Sequence, residues 1–232
     1  SANGTAVVAW GRMNPMTAGH EKLVKKVMDV AKSEKGTPHV FLTHSYDSKM
    51  NPLSYNDKIK YTQKAFGPVV KKSTAKTIFE LLKQLNVSFN KIVLVAGSDR
   101  VKEFNTTLNK YNGKEYNFDE IKVVSAGSRD PDADDVSGIS GTKMRNYAAT
   151  DMAKFKKNLP KRIQGDAEDI ASSIRKGMNM SEENDLEMDE ALNRVQRFKK
   201  ARSMRKARAK IKRGQERAKR KKADMKKIKQ RA

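Results

Sequence analysis

Short apolar runs alternate with amphipathic stretches along the first 150 residues. The apolar runs are rich in branched side chains and predict buried strands at 5–10, 38–43, 91–96 and 121–125. Apolar residues at helical spacing predict helices at 19–32, 55–66, 75–85 and 99–111, and a further helix that begins near Ser140. Strands that alternate with helices of this length indicate right-handed βαβ units. The pattern therefore predicts the α/β class, with a doubly wound, Rossmann-like parallel sheet.

The pattern changes twice after this region. Two short helices, broken at Pro160 and near Gly165, are predicted to close over the sheet up to about Gly177. Beyond 186, helix-forming residues continue, but apolar positions are too sparse for an independent core. We therefore predict a domain at 1–178, an acidic hinge at 179–193 and a C-terminal extension at 194–232 that is helical or disordered.

Four loops follow the predicted strands, at 11–20, 44–52, 97–100 and 127–142. In a parallel sheet the carboxyl ends of the strands share one edge, and ligands bind there. We therefore expect these loops to gather at a single site.

Composition narrows the chemistry that such a site can perform. The 232 residues include no cysteine, which excludes disulfides, thiolate metal sites and a cysteine nucleophile. No run of about 18 apolar residues occurs, and the N-terminus lacks the order of a signal peptide. We therefore expect a soluble, cytoplasmic protein without a membrane partner, in which hydroxyl, imidazole, amide or charged groups perform the chemistry.

The first loop, Gly11-Arg12-Met13-Asn14-Pro15-Met16-Thr17-Ala18-Gly19-His20, matches the pattern G-x-x-x-P-x-[HT]-x-G-H. It resembles the first signature of the nucleotidyltransferase superfamily, with Thr17 at the position of the first histidine. Such a donor-rich loop at a helix N-terminus suits nucleotidyl transfer, because this reaction mainly needs positioning and neutralisation of the charge on the leaving pyrophosphate. The alternative is an ordinary strand-to-helix turn in which a histidine caps the helix.

The resemblance implies a role for each residue of this loop. Thr17 and His20 would face the phosphates, with His20 hydrogen-bonded to the α-phosphate. Gly11 would let the backbone approach the nucleotide, and Gly19 would let the loop pack on the helix. The remaining assignments are Arg12, Asn14 and Pro15 as nucleotide-binding residues and Lys22 as a nearby cation.

A second segment, Ile139-Ser140-Gly141-Thr142-Lys143-Met144-Arg145, resembles the I-S-x-T-x-x-R signature of the same superfamily. Free amides at a helix N-terminus and the hydroxyls of Ser140 and Thr142 would bind phosphate. Arg145, one turn further on, would reach the β- and γ-phosphates. The alternative is a helix cap followed by a surface arginine.

Two shorter segments resemble the nicotinamide-mononucleotide adenylyltransferase branch. Residues 49–54 precede the helix that contains Lys58, and residues 95–99 include the G-S-D loop with Gly97 and Asp99. The resemblance implies ATP or CTP as nucleotide donor, with ATP favoured, Mg²⁺ held mainly through the triphosphate, and a phosphorylated acceptor such as nicotinamide mononucleotide, hence a role in NAD biosynthesis. Cytidylyl transfer to a phosphorylated alcohol or sugar stays open. Lys49, Asn51 and Trp10 are candidate acceptor or phosphate contacts.

Other polar residues are predicted to have no catalytic role. Four aspartates at 130–135 match no calcium-binding spacing and are interpreted as a solvated lid loop. His39 and His44 have no partner at metal-ligand spacing, so both are interpreted as structural or surface residues, and we predict no metal held by the protein alone.

The charge of +23 is concentrated in the extension, where 194–232 contain 20 Lys or Arg and two acidic residues. This density favours sequence-independent phosphate contact with nucleic acid or another polyanion. The combination of a small domain and a polycationic tail is similar to nucleotidyltransferase-like proteins of tailed bacteriophages. An alternative function is therefore a structural or virion-packaged nucleic-acid-binding protein whose catalysis is secondary or lost; oligomerisation stays open. The candidate contacts are Arg194, Arg197, Lys199, Lys200, Arg202, Arg205, Lys206, Arg208, Lys210, Lys212 and Arg213.

Overall fold

The predicted strands assemble into a parallel sheet. The structure is a computed structural model that describes residues 3–127 and 139–178. The strands are β1 (Thr5–Gly11), β2 (Thr37–Leu42), β3 (Lys91–Ala96) and β4 (Glu120–Ser125). Within the described residues their order in the sheet is β2-β1-β3-β4. In register, Val8 lies opposite His39 of β2 and Leu94 of β3.

The helices follow the predicted order, and polar side chains fix several of their starts. Ser54, Thr77, Ser140 and Asp151 each accept a hydrogen bond from a main-chain N–H three residues later, which is the usual N-cap arrangement. The helices are α1 (His20–Ser33), α2 (Tyr55–Phe66), α3 (Ile78–Asn86), α4 (Val101–Tyr111), α5 (Gly141–Thr150), α6 (Met152–Lys157) and α7 (Ala167–Gly177), with 3-10 turns at Gly67–Val69 and Lys161–Asp166.

The third helix begins later than predicted. The apolar spacing indicated a start at residue 75, but Thr77 has extended backbone angles and caps the helix, which starts at Ile78. Ala75 is nevertheless fully buried, since it packs with Leu81 and Leu82 on the same face of the sheet.

Each face of the sheet carries its own core. Alternate strand residues such as Val7, Ala9 and Val93 pack against α1, α2 and α5 to α7. Their neighbours, such as Val8 and Leu94, pack against α3 and α4. Burial on both faces explains why the strands are almost wholly apolar. The predicted doubly wound α/β architecture is therefore confirmed.

The strand order creates a crevice between β1 and β3. The chain leaves β1 toward β2 on one side and leaves β3 toward β4 on the other, so the two loops diverge at the centre of the sheet. Ligands of doubly wound sheets bind at such a switch point. The loops after β1 and β3 therefore occupy the position at which a nucleotide site is expected.

Several sequence predictions lie outside the described residues. These are the aspartate loop at 130–135, the hinge at 179–193 and the basic extension at 194–232 with its candidate nucleic-acid contacts. They stay predictions, as does the domain boundary at 178. Among the helices of the described ranges, none is long and apolar enough to cross a membrane.

Candidate functional site

The loop after β1 folds back on itself and is largely buried. Met13 has a positive φ of 43°, and the Asn14–Pro15 peptide bond is cis. The side chains from Met13 to Thr17 are buried, whereas that of Arg12 is exposed. The carbonyl of Gly11, at the end of β1, accepts a hydrogen bond of 2.9 Å from the N–H of Thr43, which follows β2. The loop is therefore a fixed part of the protein core that leaves one cation at the surface.

Gly11 has more room than the fold requires. A Cβ placed on it would meet only the Met13 side chain, at an ordinary 3.7 Å, and its φ does not lie in the left-handed region. Nothing in the described residues demands glycine here. A need for glycine would have to come from a ligand that approaches the backbone, as the sequence interpretation holds.

His20 and Thr17 form a closed pair at the start of α1. The N–H of Thr17 donates to Nδ1 of His20 at 2.9 Å, and Oγ1 of Thr17 lies 3.0 Å from the same nitrogen. A nitrogen that accepts a main-chain N–H carries no proton, so the neutral ring is protonated on Nε2. In this tautomer Nε2 carries the hydrogen that the predicted phosphate role of His20 requires. Thr17 orients the ring.

Asn14 links the first loop to the loop after β2. Its Nδ2 donates to the carbonyl of Leu53 at 3.1 Å, and its Oδ1 accepts from the N–H of Leu53 at 2.9 Å. Asn14 is buried and Leu53 is fully buried. The sequence interpretation made Asn14 a nucleotide contact, and this stays a prediction. In the structure its side-chain amide bonds to the protein main chain. Its role here is to hold two loops in register.

Arg145 reaches the first loop from α5. Its Nη1 donates to the carbonyl of Asn14 at 3.0 Å, and its Nη2 donates to Oγ1 of Thr142 at 3.0 Å. The side chain is 7% exposed. Burial, and secondly the charge of Arg12, lower the pKa of Arg145, while the carboxylate of Asp47 acts in the opposite direction. Asn14 and Arg145 are 131 residues apart in sequence, and their contact brings the two signatures together.

The rest of the second signature forms the start of α5. Oγ of Ser140 accepts from the N–H of Lys143 at 3.2 Å, so Ser140 caps the helix. Thr142 is exposed and uses its oxygen to accept from Arg145. In these bonds the N–H of Lys143 is used by the cap, and both hydroxyl oxygens act as acceptors. Each hydroxyl group also carries a hydrogen that can be donated. This arrangement can donate to an anion near Arg145.

Lys58 joins the same region and was given no role from the sequence. Its side chain is completely buried, and Nζ donates to the carbonyl of Thr43 at 2.5 Å and to that of Arg12 at 3.1 Å. Burial, and secondly the charge of Arg12, lower the pKa of Lys58 to about 8. Its burial could have been predicted from helical spacing, because Lys58 shares the buried face of α2 with Tyr61, Thr62 and Ala65.

The loop after β2 is organised around the carboxylate of Asp47. Its oxygens accept from the N–H groups of Lys49 and Met50 and from Nδ2 of Asn51, at 2.5 to 2.9 Å. The Asn51 bond, followed by those of the main-chain amides, lowers the pKa of Asp47 to about 2. Asn51 is buried with Oδ1 lacking a hydrogen-bond partner, and Lys49 is exposed. Asn51 is therefore mainly a loop-holding residue, whereas Lys49 is available to a ligand.

The remaining candidates lie at different depths around the crevice. Ser98 and Asp99 are exposed in the turn after β3, where Arg100 donates its N–H to the carbonyl of Gly97 at 2.9 Å. Lys22 is exposed on the first turn of α1. Trp10 is partly buried against the core on the α3 and α4 side of the sheet. A packing role therefore accounts for Trp10 without a stacked ligand.

The helices α6 and α7 pack against the loops that flank the crevice. Ala18 donates its N–H to the carbonyl of Asn158 at 2.9 Å, just after α6. Gly177, the last residue of α7, lies so close to Pro52 that a Cβ there would overlap the Pro52 carbonyl. The helices α6 and α7 thus fix the positions of both loops that flank the crevice.

His39 and His44 are engaged elsewhere. The ring of His44 stacks on Tyr55 with centroids 3.7 Å apart, and Nε2 lies 2.7 Å from the carbonyl of Ser73. His39 packs against Phe41 and Phe89, and burial lowers its pKa. Both arrangements agree with the structural roles expected from the sequence.

The site is cationic and offers few metal ligands. The charge of Arg12 acts on both Lys58 and Arg145, and within the described ranges neither buried cation forms a salt bridge with a carboxylate. Those ranges also contain no group of three histidine or acidic side chains that could hold a metal. This donor set fits a Mg²⁺ ion that arrives on a triphosphate, since Mg²⁺ keeps several waters and phosphate oxygens as ligands. The arrangement is suited to bind phosphates.

Comparison with known families agrees with this geometry. The family model described as cytidylyltransferase-like matches residues 8–147, more than half of the chain. The chain belongs to the cytidylyltransferase-like family. The predicted membership of the nucleotidyltransferase superfamily is thereby confirmed. The part that matches this cytidylyltransferase-like model runs from β1 into α5, so it contains both signatures and the loops between them.

Solved structures similar to this cytidylyltransferase-like chain include two nucleotide complexes. One is Plasmodium falciparum nicotinic acid mononucleotide adenylyltransferase complexed with NaAD, 12% identical, with a TM-score of 0.47 over 71% of this chain and 94% of that chain. Another is Thermotoga maritima TmcAL bound with alpha-thio ATP, 9% identical, with a TM-score of 0.42 over 75% of this chain and 56% of that chain. A comparison with curated protein sequences finds no match.

Proposed function

We propose that this protein transfers a nucleoside monophosphate from a triphosphate, with ATP favoured over CTP, to a phosphorylated acceptor such as nicotinamide mononucleotide, and releases pyrophosphate. The observation that carries the proposal is the contact between Arg145 and the main chain of Asn14. This contact brings the second signature onto the first, the signature in which Thr17 holds the ring of His20. Family membership supplies the general class of reaction.

The residues at the site divide the work in a simple way. Nε2–H of His20 would donate to the α-phosphate as it gains negative charge, and Thr17 holds the ring for this donation. Arg145 and the first amides of α5 would bind the β- and γ-phosphates, the part that leaves as pyrophosphate. Because the acceptor already carries an anionic oxygen, the protein needs no general base, and positioning with charge neutralisation is enough.

Buried positive charge gives independent support. Among the described residues, Arg145 and Lys58 donate to neutral acceptors. Buried charges in such surroundings are costly unless an anion completes the site. A triphosphate supplies that anion. Its binding would convert an unfavourable arrangement into a favourable one, which is how a preorganised phosphate site works.

The test is release of pyrophosphate over a matrix of triphosphates and acceptors. ATP and CTP are each paired with nicotinamide mononucleotide, other mononucleotides, and phosphorylated alcohols and sugars. We expect one combination to turn over, and His20→Ala to lower its rate about 10²- to 10³-fold, since one preorganised donor to a developing charge is worth that much. His39→Gln is the matched control, because His39 packs against Phe41 and Phe89 away from the crevice. No turnover with any pair, together with nucleotide binding that is unaffected by His20→Ala, would refute the proposal.

The charge of residues 194–232 favours a second candidate function. We propose that this segment binds nucleic acid or another polyanion, which would suit a structural or virion-packaged protein whose catalysis is secondary. A net charge of +18 in 39 residues should give binding that weakens steeply with salt. Fluorescence anisotropy with a labelled single-stranded oligonucleotide should show this for the full chain and lose it for a chain ending at residue 193. Equal binding by the two chains would contradict the candidate.

A further inference from the structure

A lysine ammonium lies inside the fold where the first loop meets the end of β2. Nζ of Lys58 contacts the carbonyls of Arg12 and Thr43, and Oγ1 of Thr43 lies 3.4 Å away. These three oxygens match the three donors of an ammonium group. The contacts bind α2 to the residues that follow β1 and β2, both at the edge of the sheet that forms the crevice.

All three acceptors are neutral, which makes the charge of Lys58 the unexplained feature. Within the described residues, no carboxylate forms a salt bridge with Lys58, and the like charge of Arg12 acts on it. A neutral hydrogen-bond donor would be enough to link two carbonyl groups, whereas a buried charge is unfavourable without a counter-charge. The free-energy cost of burying this cation is therefore not offset by a counter-charge among the described residues.

We propose that Lys58 is a positioning residue of the triphosphate site: it holds the first loop against the end of β2, and the arriving triphosphate supplies its missing counter-charge. This inference rests on the proposed function, because it requires that the anion be a triphosphate. A linked consequence is that binding takes up a proton when the pH is high enough for Lys58 to be partly neutral beforehand.

The pH at which this uptake occurs follows from the environment of the ammonium. Burial and the charge of Arg12 lower the pKa of Lys58 to about 8 in the protein without ligand. A nearby triphosphate raises it, because an opposite charge favours the charged form. When the bound triphosphate keeps Lys58 fully protonated, uptake is more than half a proton at pH 8.5 and a small fraction of a proton at pH 7, because the free protein is mostly neutral at this group in the first case and mostly protonated in the second.

Other ionisable groups around α2 are few. The 3-10 turn at Gly67–Val69 contains none, and the turn at Lys161–Asp166 contains Lys161, Arg162 and Asp166, the last paired with Lys64. His39, on β2, packs among aromatic rings. Arg12 is therefore the neighbour whose charge is expected to move the midpoint.

Isothermal titration of the full chain with Mg-ATP, in two buffers of different ionisation enthalpy, measures the uptake. Above pH 8 the terminal phosphate is fully ionised, so the ligand takes up no proton when it binds at a cationic site. We expect the uptake given above for the wild type. Lys58→Met should abolish the uptake at pH 8.5 and weaken ATP binding at pH 7 about tenfold. Lys58→Arg, which keeps the charge but does not titrate, should restore affinity without restoring uptake.

A matched control comes from the same helix. Lys60 is exposed, and Lys60→Met should change neither the uptake nor the affinity. If Lys58→Met does not fold, Arg12→Gln replaces it: removal of this exposed charge raises the pKa of Lys58 and should reduce the uptake at pH 8.5.

Two results would overturn the inference. The role of Lys58 is refuted if ATP binds at pH 8.5 without proton uptake. It is also refuted if Lys58→Met or Arg12→Gln leaves the proton uptake unchanged. Either result leaves the proposed nucleotide site in place. Absence of binding of both ATP and CTP to the wild type refutes the proposed function and this inference with it.

Discussion

The double hydrogen bond between Asn14 and Leu53 should control both stability and nucleotide affinity. Asn14→Ala removes both bonds and leaves the N–H and carbonyl of Leu53 buried without partners. Each buried unsatisfied group costs about 1–3 kcal/mol, so we expect a loss of about 2–6 kcal/mol in the free energy of unfolding. With a urea slope of about 2 kcal/mol/M, the midpoint should fall by about 1–3 M.

The same substitution should weaken nucleotide binding. The carbonyl of Asn14 accepts from Arg145, so a loop freed from Leu53 no longer presents that carbonyl at a fixed position. We expect the Kd for ATP, or for CTP if that is the donor, to rise at least tenfold at a temperature where the variant is folded. Urea unfolding and isothermal titration measure the two effects separately.

Asn112 provides a matched control on another part of the fold. Its Nδ2 donates to the carbonyl of Phe118 at 2.9 Å, and its Oδ1 accepts from the N–H of Phe118 at 2.9 Å, the same pair of bonds as at Asn14. Asn112→Ala should cost some stability and leave the Kd unchanged. If Asn14→Ala is no more destabilised than Asn112→Ala and binds nucleotide equally well, the register role of Asn14 is refuted.

Three further predictions follow from the site and its supports. Arg145→Lys should lower the rate of pyrophosphate release about tenfold or more with the fold intact by circular dichroism, because one ammonium cannot reproduce the fork that joins two acceptors; an unchanged rate would contradict this. Gly177→Ala should lower the unfolding midpoint, since the new Cβ would overlap the carbonyl of Pro52, and an unchanged midpoint would show that the contact is dispensable. The pKa of Asp47 is held at about 2, below its unfolded value of 3.8, so its contribution to loop stability is present above pH 4 and lost as the pH falls through about 2; NMR titration of the Met50 amide should give this midpoint, and a midpoint near 4 would refute it.

Much of the fold followed from short-range patterns in the sequence. Strands buried on both faces are apolar throughout, and helices show one apolar face, so the order of elements could be predicted from hydrophobicity. The start of α3 could not, because an apolar residue before the helix, Ala75, is buried for a tertiary reason. Local spacing cannot separate an apolar side chain in a helix from one in an extended segment that packs on the same core.

At the site, too, part of the arrangement could be predicted from the sequence and part depends on tertiary contacts. The two signatures marked His20 and Arg145, and the structure brings their segments together. The inward direction of the Asn14 amide and the burial of Lys58 depend on main-chain groups of Leu53 and Thr43, far along the chain. Sequence gives the chemical type of a residue in a loop, but the partner it selects is decided by the assembled tertiary structure.

The contact between Arg145 and Asn14 also has a consequence for how the protein responds to its ligand. The loop after β1 and the helix α5 are far apart along the chain, and a bound triphosphate would touch both. A ligand held in this way crosslinks the chain without a covalent bond. At a hundred times its Kd it would add about 2.7 kcal/mol to the folded state. A chain cut anywhere between Gly127 and Ile139 would thus form two fragments whose reassembly nucleotide promotes.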